Sequence, residues 1–441
     1  LHVLIGWFGA GEAVIRMPSV LAHVATAALT AAIALRLFGR TRVAFGSGLL
    51  AAVSLPLVYW GQDARGYALM VTFAAASVLA YVLLLQSGRD RPWVAAAAYV
   101  LTTLIALYMG FYAALVILAE LAVLPLFRAR ARVVIASLAV VAAGCVPLIV
   151  LALERGSGQL FWVPRPTWPI VGKAGVILIS TGMPPIFHLT ALDLIAAAVT
   201  LLVGSAVIAV AVSGVRRSGR ASMPGPRWLA LSWLLVPVLV MLAASLAGEP
   251  VELGRAVILA IPAVAILLAA GLDTPRLPWA IGWGGLALLL AMRILALAPT
   301  YGTQPENWQA AAAHVASVSR PGACLFFYPE DGRMPFDYYL QGTPAAARLT
   351  PAYPALPWSM VRPYVENYSL PSAAGLTRIV RRCPQLWVIA SHQGHRPGPP
   401  ASVRDLQRYH GLLAGLRARY PRVHRSKFGY AAVIHLTLFS R

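Results

Sequence analysis

Apolar residues recur along this chain in blocks of about 18 to 22, the length that crosses a hydrocarbon core, separated by short polar connections. The blocks fall near residues 19–37, 43–60, 66–86, 93–109, 110–127, 133–153, 191–213, 228–247, 256–272 and 278–298 and predict about ten spans. In the 93–127 region, Tyr108, Met109 and Gly110 must turn the chain between two short helices, unless one long tilted helix replaces them. Residues 174–182 are too few to cross and read as re-entrant or interfacial. After Pro299 the blocks stop. Residues 305–318 place Trp308, Ala312, Val315 and Val318 on one face of an amphipathic helix, and 324–328 and 386–391 are β-rich apolar runs. A second helix is predicted over 402–419 and strands near 423–429 and 431–439. The expected fold is therefore a polytopic α-helical membrane domain over 1–300, followed by a small α/β domain over 301–441.

Composition agrees, because only 12% of the 441 residues are charged, against about a quarter in soluble domains. Charge then orients the spans. Of 36 basic residues, all but Lys173 and Lys427 are arginine, which together with the abundant alanine points to a high-GC bacterial source. Arg36, Arg40 and Arg42 close the first span; Arg89 and Arg91 follow the third; Arg128, Arg130 and Arg132 follow the fifth. Arg216, Arg217, Arg220 and Arg227 follow the seventh, and Arg276 the ninth. By the positive-inside rule these connections face the cytoplasm. Residues 1–18, 61–65, 154–190, 248–255 and everything after 298 then face outward, giving a multi-pass protein of the cell membrane with an extracytoplasmic C-terminal domain. No basic segment precedes the first apolar stretch at Leu1, so the chain reads as truncated at its N-terminus.

Nothing here matches a Walker A loop, a dinucleotide-binding glycine motif after a strand, HExxH or CxxC, and no nucleic-acid partner is implied. Three cysteines exclude a cysteine zinc site; no metal site and no cofactor is expected, with a divalent ion left open. His392 and His395 share a Gly/Pro-rich loop that reads as solvated surface, and Asn367-Tyr368-Ser369 is a weak glycosylation match. Ionisable residues instead gather at the outward ends of the spans. Trp60 to Tyr67 sets Asp63 and Arg65 two residues apart, a second loop carries Glu249, Glu252 and Arg255, and Glu12 with Arg16 forms a third pair. Interfacial anchoring and loop-to-loop ion pairing accounts for these groups as well as a shared site does. If they converge, they line a cationic cavity where arginine can clamp a phosphate through paired N–H donors. The 154–190 loop adds Trp162, Arg165, Trp168, Lys173 and His188; belt anchoring is the preferred account, while a sugar or lipid headgroup also suits them. Glu120, inside the fifth span, is expected to face the bundle, protonated or paired, and to serve a structural hydrogen bond rather than transport. Arg293, near the end of the last span, is expected to snorkel.

Several segments carry a family resemblance. Leu1-His2 through Trp7 with GAGEAVIRMPSV (9–20), GQDARGYAL (61–69), ELGRAVILAIPA (252–263) and Asn307 to Ala311 resemble bacterial GT-C membrane glycosyltransferases related to glycosyltransferase family 39. Asp63 stands where that family has Glu, and Ala256 where it has Tyr. The resemblance implies an inverting transfer of sugar from a polyprenyl-phosphate donor to a glycan, glycolipid or protein acceptor on the outer face, with mannose suggested by an actinobacterial type of composition. It implies donor-phosphate binding by Arg65 and Arg255, with Lys173 offering a further charge, and a supporting role for Asp63. Arg16, Tyr67 and Glu252 would line the cavity, and the general base is expected upstream of Leu1.

Two other classes stay open: a transporter or lipid flippase, whose polar groups would sit near midmembrane, and a non-catalytic scaffold presenting residues 301–441. That C-terminal segment carries 16 basic and 6 acidic residues, suiting either anionic headgroups or an acidic ligand. Cys324 and Cys383 each precede a β-rich run, so parallel neighbouring strands would allow a disulfide, with two free thiols as the alternative.

Overall fold

The structure, a computed structural model, describes residues 1–87, 92–155, 167–179, 226–247, 253–274, 278–298, 301, 304, 306–356, 368–394, 400–429 and 432–441. It divides into two compact units, Leu1–Pro299 and Thr300–Arg441.

The described part of the first unit is helical. Its elements are α1 (His2–Phe8), α2 (Glu12–Phe38), α3 (Thr41–Ala52), α4 (Leu55–Gln62), α5 (Tyr67–Gln86), α6 (Pro92–Met109), α7 (Ala114–Val123), α8 (Arg128–Gly144) and α9 (Val146–Arg155). Then come α10 (Trp168–Leu178), α11 (Pro226–Leu246), α12 (Leu253–Ala256), α13 (Ile261–Leu272) and α14 (Trp279–Leu297). Among the described residues seven helical runs are long and apolar enough to cross a membrane, or eight if the bent pair α3–α4 is one span. The chain is a polytopic helical membrane protein. The expected span at 191–213 lies outside the described residues. That expected at 133–153 is interrupted at Cys145, between α8 and α9.

One of the seven runs, Phe111–Gly144, is 34 residues long and would reach about 50 Å if straight. Yet the Tyr108 hydroxyl, just before it, donates to the Gly144 carbonyl at 2.9 Å, so the run folds back on itself. The reversal falls at a 3-10 turn, Leu124–Phe127, where Pro125 removes a backbone donor and Phe127 leaves helical geometry at φ −123°. Within 93–127 the chain turns after Met109, since the Tyr99 hydroxyl reaches the Glu120 carboxyl at 2.5 Å although 21 residues separate them, which one long helix would forbid.

Side-chain contacts collect the arginines at one end of the bundle. Gln86 Nε2 donates to the Arg36 carbonyl at 3.2 Å, and Arg130 donates to the Ser87 carbonyl. Arg40 reaches Asp273, and Arg227 lies within electrostatic reach of Arg40. At the opposite end Ser19 meets the Arg65 carbonyl, so α2 and α5 run parallel, joined midway by a 2.8 Å bond between the buried hydroxyls of Thr26 and Thr72. Threonine can do this at membrane depth because its hydroxyl also returns to the carbonyl one turn earlier, as Thr26 does to Ala22 at 3.0 Å.

The bend of 53° between α3 and α4 would strand carbonyls in a medium without water. Two side chains cover them: His23 binds the Ala52 carbonyl at 3.0 Å, and Arg293 donates to that of Leu50 and also to that of Ile179 at the end of α10. Arg293 is 3% exposed, so it does not snorkel as the sequence suggested; the broken helix supplies acceptors that outcompete the interface. Glu120 faces the bundle. Tyr99 and Ser77 donate to its two carboxyl oxygens at 2.5 and 3.5 Å, and the Tyr81 hydroxyl donates to its main-chain carbonyl at 3.0 Å.

The second unit contains α15 (Trp308–Val318), β1 (Cys324–Tyr328), α16 (Arg333–Leu340), β2 (Thr350–Tyr353), α17 (Ala373–Arg382), β3 (Gln385–Ala390), α18 (Pro400–Arg417), β4 (Arg422–Phe428) and β5 (Ile434–Ser440). The sheet order is β2-β1-β3-β5-β4, parallel across β2, β1 and β3 and antiparallel beyond. Strand alternation feeds two cores. Leu325, Phe327, Trp387 and Ile389 pack with α15 and α16, while Phe326, Tyr328, Leu386 and Val388 pack with α17 and α18. The buried stripe of α15 is Trp308, Ala311, Ala312 and Val315; Val318, expected on it, is exposed because it closes the last turn. Cys324 and Cys383 are bonded in the second core, closing a loop of sequence separation 59.

Glu120→Ala leaves the buried Tyr99 hydroxyl without its acceptor, while Ser77 keeps Thr103, and should cost about 1–3 kcal/mol, whereas Glu120→Gln should retain most of the stability. Thermal unfolding of detergent-solubilised variants checks this, and equal midpoints for Ala and wild type would contradict it. For the cysteine pair, Cys324→Ser with Cys383→Ser should destabilise the second unit by about 4 kcal/mol on chain-entropy grounds. Non-reduced peptide mapping that recovers both cysteines alkylated in the wild type would remove the basis for that figure.

Candidate functional site

The arginine-poor end of the bundle is organised around the four-residue connection Asp63–Gly66 between α4 and α5. Both flanking glycines are close approaches. A Cβ on Gly61 would stand 3.0 Å from that of His23, and one on Gly66 would stand 3.2 Å from the Met109 carbonyl. The loop is thus pressed between α2 and the end of α6, and Ser19 meets the Arg65 carbonyl at 3.5 Å. Its backbone has little room to move. Trp60 is buried and stacks at a tilt on Tyr67, ring centroids 4.3 Å apart, which fixes the first residue of α5 against the last turn of α4.

On this platform Asp63 and Arg65 form an ion pair at 3.5 Å, with side-chain exposures of 31% and 57%. Such an exposed pair contributes at most about 1 kcal/mol, so it orients the guanidinium more than it anchors it. Tyr67 points to a second arginine. Arg255 Nη1 donates to the Tyr67 hydroxyl at 2.7 Å, and its guanidinium carbon lies 5.2 Å from the Tyr67 ring centroid. This contact joins residues 188 apart in sequence and brings α12 to the start of α5. Asp63, Arg65, Tyr67 and Arg255 therefore share one end of the bundle.

The remaining expected residues are placed less tightly. Arg16 pairs with Glu12 at 3.0 Å within α2, one turn before Ser19, and so sits on the flank of the loop. Lys173 is half-buried on α10, on the same stripe as Ile177, whose side chain would meet a Cβ on Gly254 at 3.3 Å. Glu249, Glu252, Trp162, Arg165 and His188 lie outside the described residues. Trp168 is 88% exposed, as a belt anchor should be.

Sequence reasoning missed His23, Ser19 and Trp60. The signal for His23 was present, since a histidine within a span is a functional candidate by position. Its Nε2 faces a carbonyl, which only accepts, so Nε2 carries the hydrogen; Nδ1 and the Trp60 indole N–H are buried with no hydrogen-bond partner among the described residues. In the second unit, His392 pairs with Glu306 at 3.3 Å and is not simply solvated, while Asn367 and His395 lie outside the described residues.

Chemically, two planar guanidiniums held by a carboxylate and a phenol beside the buried Trp60 ring suit an oxyanion with several oxygens. Among the described residues no group of three or more His, Cys, Asp or Glu could hold a metal ion.

No protein-family model and no curated protein matches this chain. Solved structures do. ArnT from Cupriavidus metallidurans in the apo state is 15% identical, with 99% of this chain and 85% of that chain covered and a TM-score of 0.42. ArnT from the same organism bound to undecaprenyl phosphate gives 15% identity, coverage of 99% and 86%, and a TM-score of 0.40. The Archaeoglobus fulgidus oligosaccharyltransferase tethered with an acceptor peptide is 13% identical, with 89% of this chain and 60% of that chain covered and a TM-score of 0.47.

Proposed function

We propose that this protein is a GT-C glycosyltransferase that moves a sugar from a polyprenyl-phosphate donor to an acceptor at the outer face of the cell membrane. The carrying observation is the pair of arginines at the arginine-poor end of the bundle, Arg65 oriented by Asp63 and Arg255 by Tyr67. A lipid phosphate sits at the headgroup plane, where both arginines stand if the arginine-rich end is cytoplasmic. The leaving polyprenyl phosphate needs its developing charge held, and fixed guanidiniums do this without reorganisation. Lys173 and Arg16 add positive potential on two flanks. The two carboxylates beside these arginines, Glu12 and Asp63, are ion-paired with Arg16 and Arg65, so neither is assigned as general base. Inversion follows from the family resemblance and a mannosyl donor from the actinobacterial type of composition; both belong to this reading.

The transporter alternative gains nothing from Glu120, whose carboxyl oxygens are both occupied by neighbouring hydroxyls.

Arg65→Ala should lose about 2–5 kcal/mol of transition-state stabilisation with polyprenyl-phosphate sugar, and Arg65→Lys should recover part, since it keeps charge without the planar fork. A role confined to the Asp63–Arg65 ion pair instead lowers thermal stability before activity. Near-normal turnover by a stably folded Arg65→Ala protein rules out the phosphate role. Sidedness has its own check: alkaline phosphatase fused after Arg320 should be active and fused after Arg217 inactive, and the reverse pattern would sink the placement of the site.

A further inference from the structure

The second unit holds a cleft of about 450 Å³ between α18 and the β4–β5 ribbon. Residues 406, 410, 413 and 417, spaced four, three and four apart, form one wall along a single face of α18 and end on Arg417 in its last turn. The facing wall is set by strand register. Arg425 lies opposite Thr437 and Lys427 opposite His435, so alternation puts all four on the side of the sheet that carries Phe439 and packs against α18. Arg425, Lys427, Arg417 and His410 are exposed at their tips, with His435 half-buried behind them. Two buried hydroxyls stand at the back, those of Tyr409 and Thr437.

Among the described residues lining this cleft there is no carboxylate. The described acidic residues of the unit are mostly committed elsewhere: Glu306 to His392, Glu330 to Tyr353 and Ser369, Asp337 to Arg333, and Asp405 to Arg408. Like charges facing one another across a partly enclosed space repel. Burial, then the charges of Lys427 and Arg425, hold His435 below the usual imidazole range.

We propose that this cleft is a binding site for a phosphoryl anion, with Arg425, Lys427 and Arg417 as the charge-bearing contacts. Fork-shaped arginines and a point-charge lysine complement a phosphate with several free oxygens, and the volume admits a phosphate on a sugar or on a lipid headgroup. This inference is independent of the site at the ends of the helices.

Hydrogen exchange on the full chain in nanodiscs tests it. One arm adds glucose 6-phosphate, with glucose as control, to phosphatidylcholine discs; the other compares phosphatidylglycerol with phosphatidylcholine discs. Protection should appear over 406–417 and 422–428 in at least one arm. Protection by glucose 6-phosphate identifies a soluble phosphosaccharide, and protection by phosphatidylglycerol alone a lipid headgroup. The apparent affinity should fall at least tenfold in Arg425→Ala with Lys427→Ala and be kept in the charge-matched Arg381→Ala with Arg382→Ala, on the exposed end of α17. No protection in either arm, protection by glucose alone, or equal loss in both double variants overturns the assignment.

Discussion

The contact between Arg255 and Tyr67 is the constraint on which the helical unit's geometry turns. It ties the start of α5 to α12 across 188 residues, and everything at that end of the bundle is referred to it. Tyr67 is also packed by Trp60, so the phenol is a fixed point rather than a swinging arm. A guanidinium bonded to a fixed phenol has a fixed direction, and the neighbouring Arg65 rises from a loop whose glycines leave no slack. A binding site for a small, highly charged group needs this kind of rigidity, because the order imposed on the arginines is established on folding and not on binding.

The same economy governs the membrane interior. Apolar helices alone would satisfy their own backbone, yet this bundle contains a broken helix and a buried carboxyl group. Each is stitched by polar side chains from elsewhere: His23 and Arg293 at the α3–α4 bend, and Tyr81, Tyr99 and Ser77 around Glu120. The bend matters to the site. It lets α4 carry Trp60 and the Asp63–Gly66 loop over His23, at an angle a straight span would not give.

Much of this was legible in the sequence where the signal is local. Block length marked the spans, and spacing of arginines marked one end, which contacts such as Arg36 with Gln86 and Arg40 with Asp273 realise in space. The strands at 324–328 and 386–391 were readable because continuous apolar β-branched and aromatic runs have few other uses. Arg293 was misread because its acceptors belong to residues 243 and 114 positions away, and no window of sequence contains them. The strand Thr350–Tyr353 and helices Arg333–Leu340 and Ala373–Arg382 were unseen: they are short and half polar, and their order comes from the sheet and cores they join. At the site, the pairing of Asp63 with Arg65 could be read two residues apart, whereas that of Tyr67 with Arg255 could not.

The most direct measurement is a cryo-EM structure of the protein in nanodiscs with a polyprenyl phosphate bound. Phosphate density is expected within hydrogen-bonding distance of both the Arg65 and Arg255 guanidiniums, with the isoprenoid leaving between helices toward lipid. Phosphate density settled instead against Arg40 and Arg42, at the other end of the bundle, would contradict it.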